Sequence, residues 1–456
     1  MTTHSVDVAV VGAGTGGCYA AATIARAGYD VVIVERKDEG EAGHIACGDA
    51  LKGANNFPEA IPKSKIEPAF TNTEVDHGRF EAPREGVTMN IPVPGELAVI
   101  DRLKYGKLII EGASEVGVEF HYDTVVQDVT QDDDGRVTGL VANRKGERVE
   151  YDADFVIDGA GALSILQDKL DLSDATFDTN VSYSQFSSAY REVLEVQEPV
   201  DWHDALVFKP TKRSAGYLWY FPRTPTEINV GLGFQMNEQP MKLVGDLRED
   251  LQSRSEFDGA EVKDKLGAAL PTRRTYDSAT APGYIAVGDA AAHVNPITGG
   301  GIAGAAYSGQ YAGEQVIQAL EEEDVSEENL WRYNERVMDH YGGRYAALDV
   351  YNIFSTAYEI DDLVALAGAI PGEQVSEALY SGSSTTNVAL AAKTLWRARG
   401  HLDTIYDLYK TKQLADRLLA HYETYPDSPS GFSAWKAKRD DIMDDVYAET
   451  GAQPKY

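Results

Sequence analysis

The sequence predicts an α/β protein in which a discontinuous dinucleotide-binding domain is interrupted by a β-rich insertion and followed by a helical region. Three observations carry this expectation. A glycine fingerprint lies between two apolar runs at the start of the chain, and a second glycine-acid motif follows an apolar run near residue 288. Between them the texture shifts to alternating strand patterns with interleaved aromatics. The expected organisation is residues 1–164 and 272–325 for the nucleotide domain, 165–271 for a β-rich substrate domain and 326–456 for the helical region.

Val6–Val11 reads as a buried parallel strand, and Gly12-x-Gly14-x-x-Gly17 follows it without a gap. Ala20–Ala27 then reads as a helix stopped by Gly28, and Val31–Val34 is a second strand ending in Glu35. In this context Gly12 permits the tight turn, Gly14 lets the backbone approach a pyrophosphate, and Gly17 lets helix and strand pack closely. The helix N-terminus offers free N–H groups and a positive dipole end to the phosphates. Glu35, eighteen residues beyond Gly17, is placed to accept from ribose hydroxyls, with Arg36 beside it. Residues 53–95 are proline-rich and read as loops and short strands. Leu97–Ile100 reads as a strand entering Asp101-Arg102, and Leu103–Val116 as an amphipathic helix. Val118–Val129, which contains Val126, and Val137–Val141 read as strands around a turn whose Asp134-Gly135 supplies positive φ angles. Phe155–Ile157 is a strand running into Asp158-Gly159. Tyr284–Val287 is another, followed by Gly288-Asp289, a helix over Ile302–Leu320 and an acidic linker at Glu321–Glu328.

The charge balance narrows the function classes. Acidic residues number 73 against 41 basic ones, a net charge of −32, spread along the chain rather than held in a tail. Such a surface disfavours nucleic acid, which needs a basic footprint. It suits a halophile's cytoplasmic protein, whose self-repulsion is screened by salt. No apolar run is long enough to span a bilayer, and no secretory leader pattern opens the chain. Two cysteines, Cys18 and Cys47, exclude a disulfide framework and a zinc site and point to a reducing compartment.

Four ordered motifs carry a family resemblance: Gly12–Gly17, Asp158-Gly159, Gly288-Asp289 and Pro296-x-x-Gly299-x-Gly301, the last opening a helix at Ile302. With Arg102, these motifs make the chain resemble the FAD proteins that include p-hydroxybenzoate hydroxylase. Within that group, Tyr217-x-Trp219-x-Phe221-Pro222, eight residues, then Gly231-x-Gly233 is similar to the signature of the geranylgeranyl reductase family. Cys47-Gly48 also matches a pair found in its archaeal members. The resemblance spans residues 5 to 310 and departs at Thr15-Gly16, where relatives carry proline and a small residue; the extra glycine is expected to loosen the turn. It implies FAD held by Gly12, Gly14, Gly17, Glu35, Arg36, Cys47, Gly48, Arg102, Val126, Asp158, Gly288, Asp289, Gly300, Gly301 and Ile302. It further implies saturation of isoprenoid double bonds in archaeal ether phospholipids by hydride from reduced FAD together with a proton. The isoprenoid would lie against Tyr217, Trp219, Phe221, Pro222, Gly231 and Gly233.

The residues are consistent with that chemistry. Tyr217, Trp219 and Phe221 alternate, so in a strand they share one face and offer an aromatic wall to an apolar chain. Pro222 ends the strand, and Gly231 and Gly233 would let a facing strand approach. An unactivated alkene needs a positioned proton donor, and Cys47 is the catalytic candidate, with Asp49 and His44 able to assist; a small buried packing residue is its plain alternative. Cys18 reads as packing. Lys209, Lys212 and Arg213 form a basic cluster that would steer an anionic lipid head group, or are solvated surface cations. With a single nucleotide fingerprint, electrons are expected from NADPH or from a ferredoxin, and the lipid substrate leaves room for peripheral contact with the membrane. Two rival readings share the FAD motifs or the fold: an aromatic hydroxylase, which would consume oxygen, and a prenyl-binding carrier, which would bind no flavin.

Overall fold

The central sheet is built on the strand Thr2–Val11, whose last four residues are fully packed. It pairs in parallel with Glu147–Asp158 on one side and Val31–Val34 on the other. Glu119–His121 and Tyr284–Ala286 extend it in parallel at the two flanks, and Thr280–Ala281 adds an antiparallel edge. Where the parallel strands are buried on both faces, at Val8–Val11, Val31–Val34 and Phe155–Ile157, their sequences are continuous apolar runs, whereas the earlier part of Glu147–Asp158 alternates. A computed structural model describes residues 2–53, 57–173, 181–212, 215–236, 239–383 and 401–456.

The hairpin Thr124–Gln131 and Val137–Arg144 pairs antiparallel onto Glu147–Asp158. In its turn only Gly135 takes a positive φ, 81°. Asp134 does not, because its N–H donates at 3.1 Å to Asp132 Oδ1, which closes the turn from the side chain instead.

The glycine-loop helix spans Thr15–Arg26 and so begins before the expected Ala20. Gly14 is its extended N-cap, and Cys18 N–H already donates to Gly14 O at 3.0 Å, which draws Gly17 into the first turn. The helix packs on Ile302–Glu321 at glycines: a Cβ on Gly309 would lie 2.3 Å from Gly16 O. Gly16, expected to loosen the phosphate turn, thus lies inside the helix, at a close helix–helix approach.

A second sheet has seven strands, in the order Glu261–Pro271, Phe186–Glu195, Glu227–Gln235, Gly216–Pro222, Ala205–Pro210, His77–Ala82 and Val87–Pro92. The last two are among the short strands expected within residues 53–95, but they join this sheet from outside 165–271. They join through a parallel pairing of Ala205–Pro210 with His77–Ala82, a contact far apart in sequence that no local pattern signals. A small sheet of Ala50–Lys52, Leu97–Ile100 and Phe70–Asn72 lies in the same stretch of chain.

From residue 327 the described chain is mainly helical, with Glu327–Val337, Gly343–Ala357, Ile360–Ala369, Gly372–Ser381, Leu402–Tyr422 and Pro429–Thr450. Ser326 caps the first of these, its side chain accepting from Asn329 N–H, so the acidic linker is shorter than Glu321–Glu328. Among the described residues, no helix is long and apolar enough to cross a membrane.

Candidate active site

One cleft of about 1460 Å³ is lined by the glycine loop, the loop at 43–53, the inner face of the seven-stranded sheet, the segment 287–303 and helices from the region beyond 340.

Gly12, Gly14, Glu35, Arg36, Arg102 and Val126 border it, as do Gly288, Asp289, Gly300, Gly301 and Ile302. Gly12 has φ 92°, and a Cβ there would sit 2.5 Å from Gly159 O, so the chain turns here only as glycine. Gly17 lies behind the loop, where a Cβ would meet Gly12 O at 2.1 Å. Glu35 accepts from Ala13 N–H and Lys37 N–H, each at 2.9 Å, which orients its carboxylate along the cleft and leaves lone pairs for hydroxyl donors. Arg102 is buried with Nη1 unpaired, and its Nη2 donates to Thr15 Oγ1 at 3.5 Å. The helix Ile302–Glu321 has no side-chain cap at Gly301, so its first N–H groups face the cleft unoccupied by protein side chains. Burial pushes the Asp289 carboxyl up to about 6, against the opposing pull of Arg102.

Among the expected cofactor residues, Gly17 and Asp158 do not border the cleft, and Asp158 is turned to other work. Its carboxylate accepts from Tyr284 OH at 2.8 Å, Ser164 Oγ at 2.6 Å and Ala160 N–H at 3.0 Å. Those three bonds hold the turn after Glu147–Asp158 against the neighbouring strand, a structural task.

The aromatic signature is a register. Across the antiparallel pair, Tyr217 faces Gly233, Trp219 faces Gly231 and Phe221 faces Asn229. Tyr217, Trp219 and Phe221 all border the cleft, while the intervening Leu218 and Tyr220 enter the opposite core. Gly231 does not reach the cleft: a Cβ there would lie 2.3 Å from Trp219 Cζ2, so its absence lets the indole lie across the neighbouring strand. Gly233 borders the cleft, and Pro222 does not; Pro222 ends its strand with its carbonyl accepting from Asn72 Nδ2 at 2.9 Å.

Cys47 and Gly48 lie on this wall, with a Gly48 Cβ position 3.1 Å from Phe221 Cε2 and 3.4 Å from Trp219 Nε1. A polar tripod holds the loop. Asn229 Nδ2 donates to Cys47 O at 2.9 Å and to Asp49 Oδ2 at 2.5 Å, and its Oδ1 accepts from Trp219 Nε1 at 2.9 Å. Arg223 Nε donates to the same Asp49 Oδ2 at 2.8 Å. Asp49 is fully buried, and its N–H donates to Cys47 Sγ at 3.2 Å. Burial, then the charge of Asp49, pushes the Cys47 thiol up, so Cys47 carries its proton at neutral pH. Asp49 therefore supports Cys47 directly. His44 also borders the cleft but is paired elsewhere, with Asp264 2.9 Å from Nε2 and with Glu41. Cys18 is buried packing on the first helix. The basic cluster is neutralised: Lys209 Nζ lies 2.7 and 2.9 Å from the Asp250 oxygens and Lys212 pairs with Glu249, while Arg213 lies outside the described residues.

Residues 5–340 match the FAD binding domain family. A digeranylgeranylglycerophospholipid reductase of Methanopyrus kandleri is 31% identical over 84% of this chain and 94% of its own length. The chain belongs to the digeranylgeranylglycerophospholipid reductase family. A family member from Sulfolobus acidocaldarius is 28% identical over 96% of this chain and 97% of its own. The fold is shared with a geranylgeranyl bacteriochlorophyll reductase-like protein of Thermoplasma acidophilum, with a TM-score of 0.75 at 24% identity, covering 90% of this chain and all of that one.

The residues fit the FAD that the family binds. The unpaired Arg102 Nη1, the uncapped helix start at Gly301 and the buried carboxyl of Asp289 each lack the partner that a pyrophosphate, a flavin carbonyl or a ribityl hydroxyl would provide. Two features of this reductase-family site escaped sequence reasoning. Asn229 lies inside the eight-residue gap of the signature, and only its cross-strand pairing with Phe221 brings it under the Cys47 loop. The wall beyond residue 340, including Asn352, Thr356, Leu363 and Val364, carries no motif; it joins the cleft through Asn352 Nδ2, which donates to Pro296 O at 3.1 Å.

Proposed function

We propose that the protein is an FAD-dependent reductase that saturates C=C bonds of geranylgeranyl chains in archaeal ether phospholipids. The observation that carries this reading is the shared cleft: the Cys47-Gly48 loop lies on the aromatic wall within the space bordered by the FAD cradle.

Reduced FAD supplies the hydride. The protein must hold the alkene, exclude water and give a proton to the other alkene carbon, where cationic character does not build. Tyr217, Trp219 and Phe221 border the cleft, so an isoprenoid lying against them leaves water for an aromatic surface. Tyr217 OH is committed to Thr298 O at 2.6 Å, which fixes the wall against the 295–301 loop. Cys47 Sγ, protonated and held by Asp49 N–H, is the proton donor; its loop is kept in register by Asn229 and Arg223. The lipid substrate brings the protein to a membrane surface, and we assign that contact to Leu402, Tyr406 and Tyr409, exposed at helical spacing on Leu402–Tyr422.

Anaerobic incubation of the chemically reduced holoprotein with an unsaturated archaeal diether lipid should add hydrogen pairs, read by mass spectrometry. Cys47→Ala should keep its flavin spectrum and lose ~100-fold or more in reduction rate, within the range for removing a positioned proton donor. Substrate-dependent oxygen uptake with no gain of hydrogen would overturn the reading, and near-wild-type turnover of Cys47→Ala would return Cys47 to packing.

A further inference from the structure

The cleft is bordered by six lysine and arginine side chains in a protein of net charge −32, and most of them are accounted for. Arg36, Lys37 and Arg102 border the dinucleotide end with Gly12, Gly14 and Glu35. Arg191 is paired with Asp264 Oδ2 at 2.5 Å. Lys52 and Arg344 remain. Neither forms an ion pair with a carboxylate among the described residues.

The two converge from different parts of the fold. Lys52 ends the short strand Ala50–Lys52, three residues after Asp49, and Arg344 is on the helix Gly343–Ala357. Tyr380, near the end of Gly372–Ser381, bridges them: Lys52 Nζ lies 2.9 Å above its ring centroid, and Arg344 Nη1 donates to its carbonyl at 3.1 Å. Arg344 Nε is buried without a partner. Lys52 itself is exposed while bordering the cleft, which puts the pair at the rim. Partial burial, then the charge of Arg344, pulls the Lys52 amine down to about 8. Between this rim and the Cys47 wall the lining is largely apolar, with Ile91, Val93, Leu363, Val364 and Leu379.

We propose that Lys52 and Arg344 form an anion clamp that takes the phosphate of the lipid substrate at the rim of the cleft, while the isoprenoid chain runs inward to Cys47. This rests on the reductase reading and adds its head-group site. The clamp replaces Lys209 and Lys212, whose charges are spent on Asp250 and Glu249. An amine over a ring and a guanidinium with a free Nε offer donors from two directions, and a phosphate entering between them relieves their mutual repulsion. A neutral diether would gain nothing from either group.

The test is binding of non-reducible ligands to the FAD-loaded protein, followed by titration calorimetry: a saturated phytanyl diether of glycerol bearing a terminal phosphate, the same diether with a free hydroxyl, and inorganic phosphate. The phosphate lipid should bind about tenfold or more tightly than the alcohol. Lys52→Met, a rim substitution that preserves volume, should bring that ratio close to one, and Arg344→Lys should lower it while keeping a charge. Retained flavin content reports that each variant is folded. Inorganic phosphate should compete with the phosphate lipid only at far higher concentration; equal potency would overturn the head-group assignment in favour of a free-anion site. A ratio unchanged in both variants, or equal wild-type affinity for the two lipids, would overturn the clamp and leave the reductase reading standing. Failure of the wild type to bind either lipid would overturn both.

Discussion

Asp289 sits in the turn that leads to the helix Ile302–Glu321, on the border of the cleft. Burial raises its carboxyl from 3.8 to about 6, so the folded state holds this proton more tightly than the unfolded chain does. Stability is then lost as pH rises from about 4 to 6, and at pH 7 the full penalty is present. Each pKa unit corresponds to about 1.4 kcal/mol, and partial solvent access reduces the effect, so Asp289→Asn should stabilise the FAD-free protein at pH 7 by roughly 1–2 kcal/mol. The same change should weaken FAD binding by removing a charged acceptor. Thermal melts of the apoprotein and flavin titrations check the two halves; a destabilised apoprotein would sink the argument. His293 acts in the opposite sense, because burial lowers its ring to about 3 and the unfolded chain takes up a proton below pH 6.5. The difference between Asp289→Asn and wild type across pH 4–7 therefore isolates the carboxylate. At this scale the sequence exposes residues whose type alone is informative. Cys47 and Trp219 stand out in the linear text, whereas Asn229 and Arg223 acquire meaning only when hydrogen-bonded to Cys47 O and Asp49.

The signature hairpin shows how an element converts spacing into a surface. Eight residues between Pro222 and Gly231 set a register in which each aromatic meets a small or polar partner, and the face follows from period-two alternation. The helical wall is secured differently. Lys455 Nζ is bonded to Asp349 Oδ1 at 2.6 Å and Asn352 Oδ1 at 2.7 Å, both on Gly343–Ala357, and Tyr456 OH also donates to Asp349. The Lys455 and Asp349 side chains are 5% and 1% exposed. Breaking such a pair from one side leaves a buried charge, so Lys455→Met should destabilise the protein by about 3 kcal/mol, measured by denaturant unfolding. Because Asn352 also holds Pro296, the variant should bind FAD and lipid less tightly, and an unchanged unfolding midpoint would refute the role given to this anchor. None of this is visible in 326–456 as a string, since helices built from Tyr, Trp and Leu at helical spacing read alike whether they line a cleft or fill a core.

For the molecule as a whole, a charge of −32 makes salt part of the stability balance. At 1 M salt the Debye length is about 3 Å, against about 30 Å at 0.01 M, so surface carboxylates repel one another strongly only in dilute buffer. The melting temperature should climb steeply from millimolar to molar KCl, with activity following it. A flat profile would dismiss the halophilic reading. The amino-acid sequence by itself determined the dinucleotide fold, the FAD motifs and the aromatic signature, because these depend on spacing within one strand–turn–helix or one hairpin. Tertiary structure alone decided that His77–Ala82 joins the second sheet, that Asp158 serves the fold rather than the cleft, and that Lys52 and Arg344 both reach Tyr380. Those contacts link residues far apart in the chain, where packing and charge, rather than local periodicity, choose the partner.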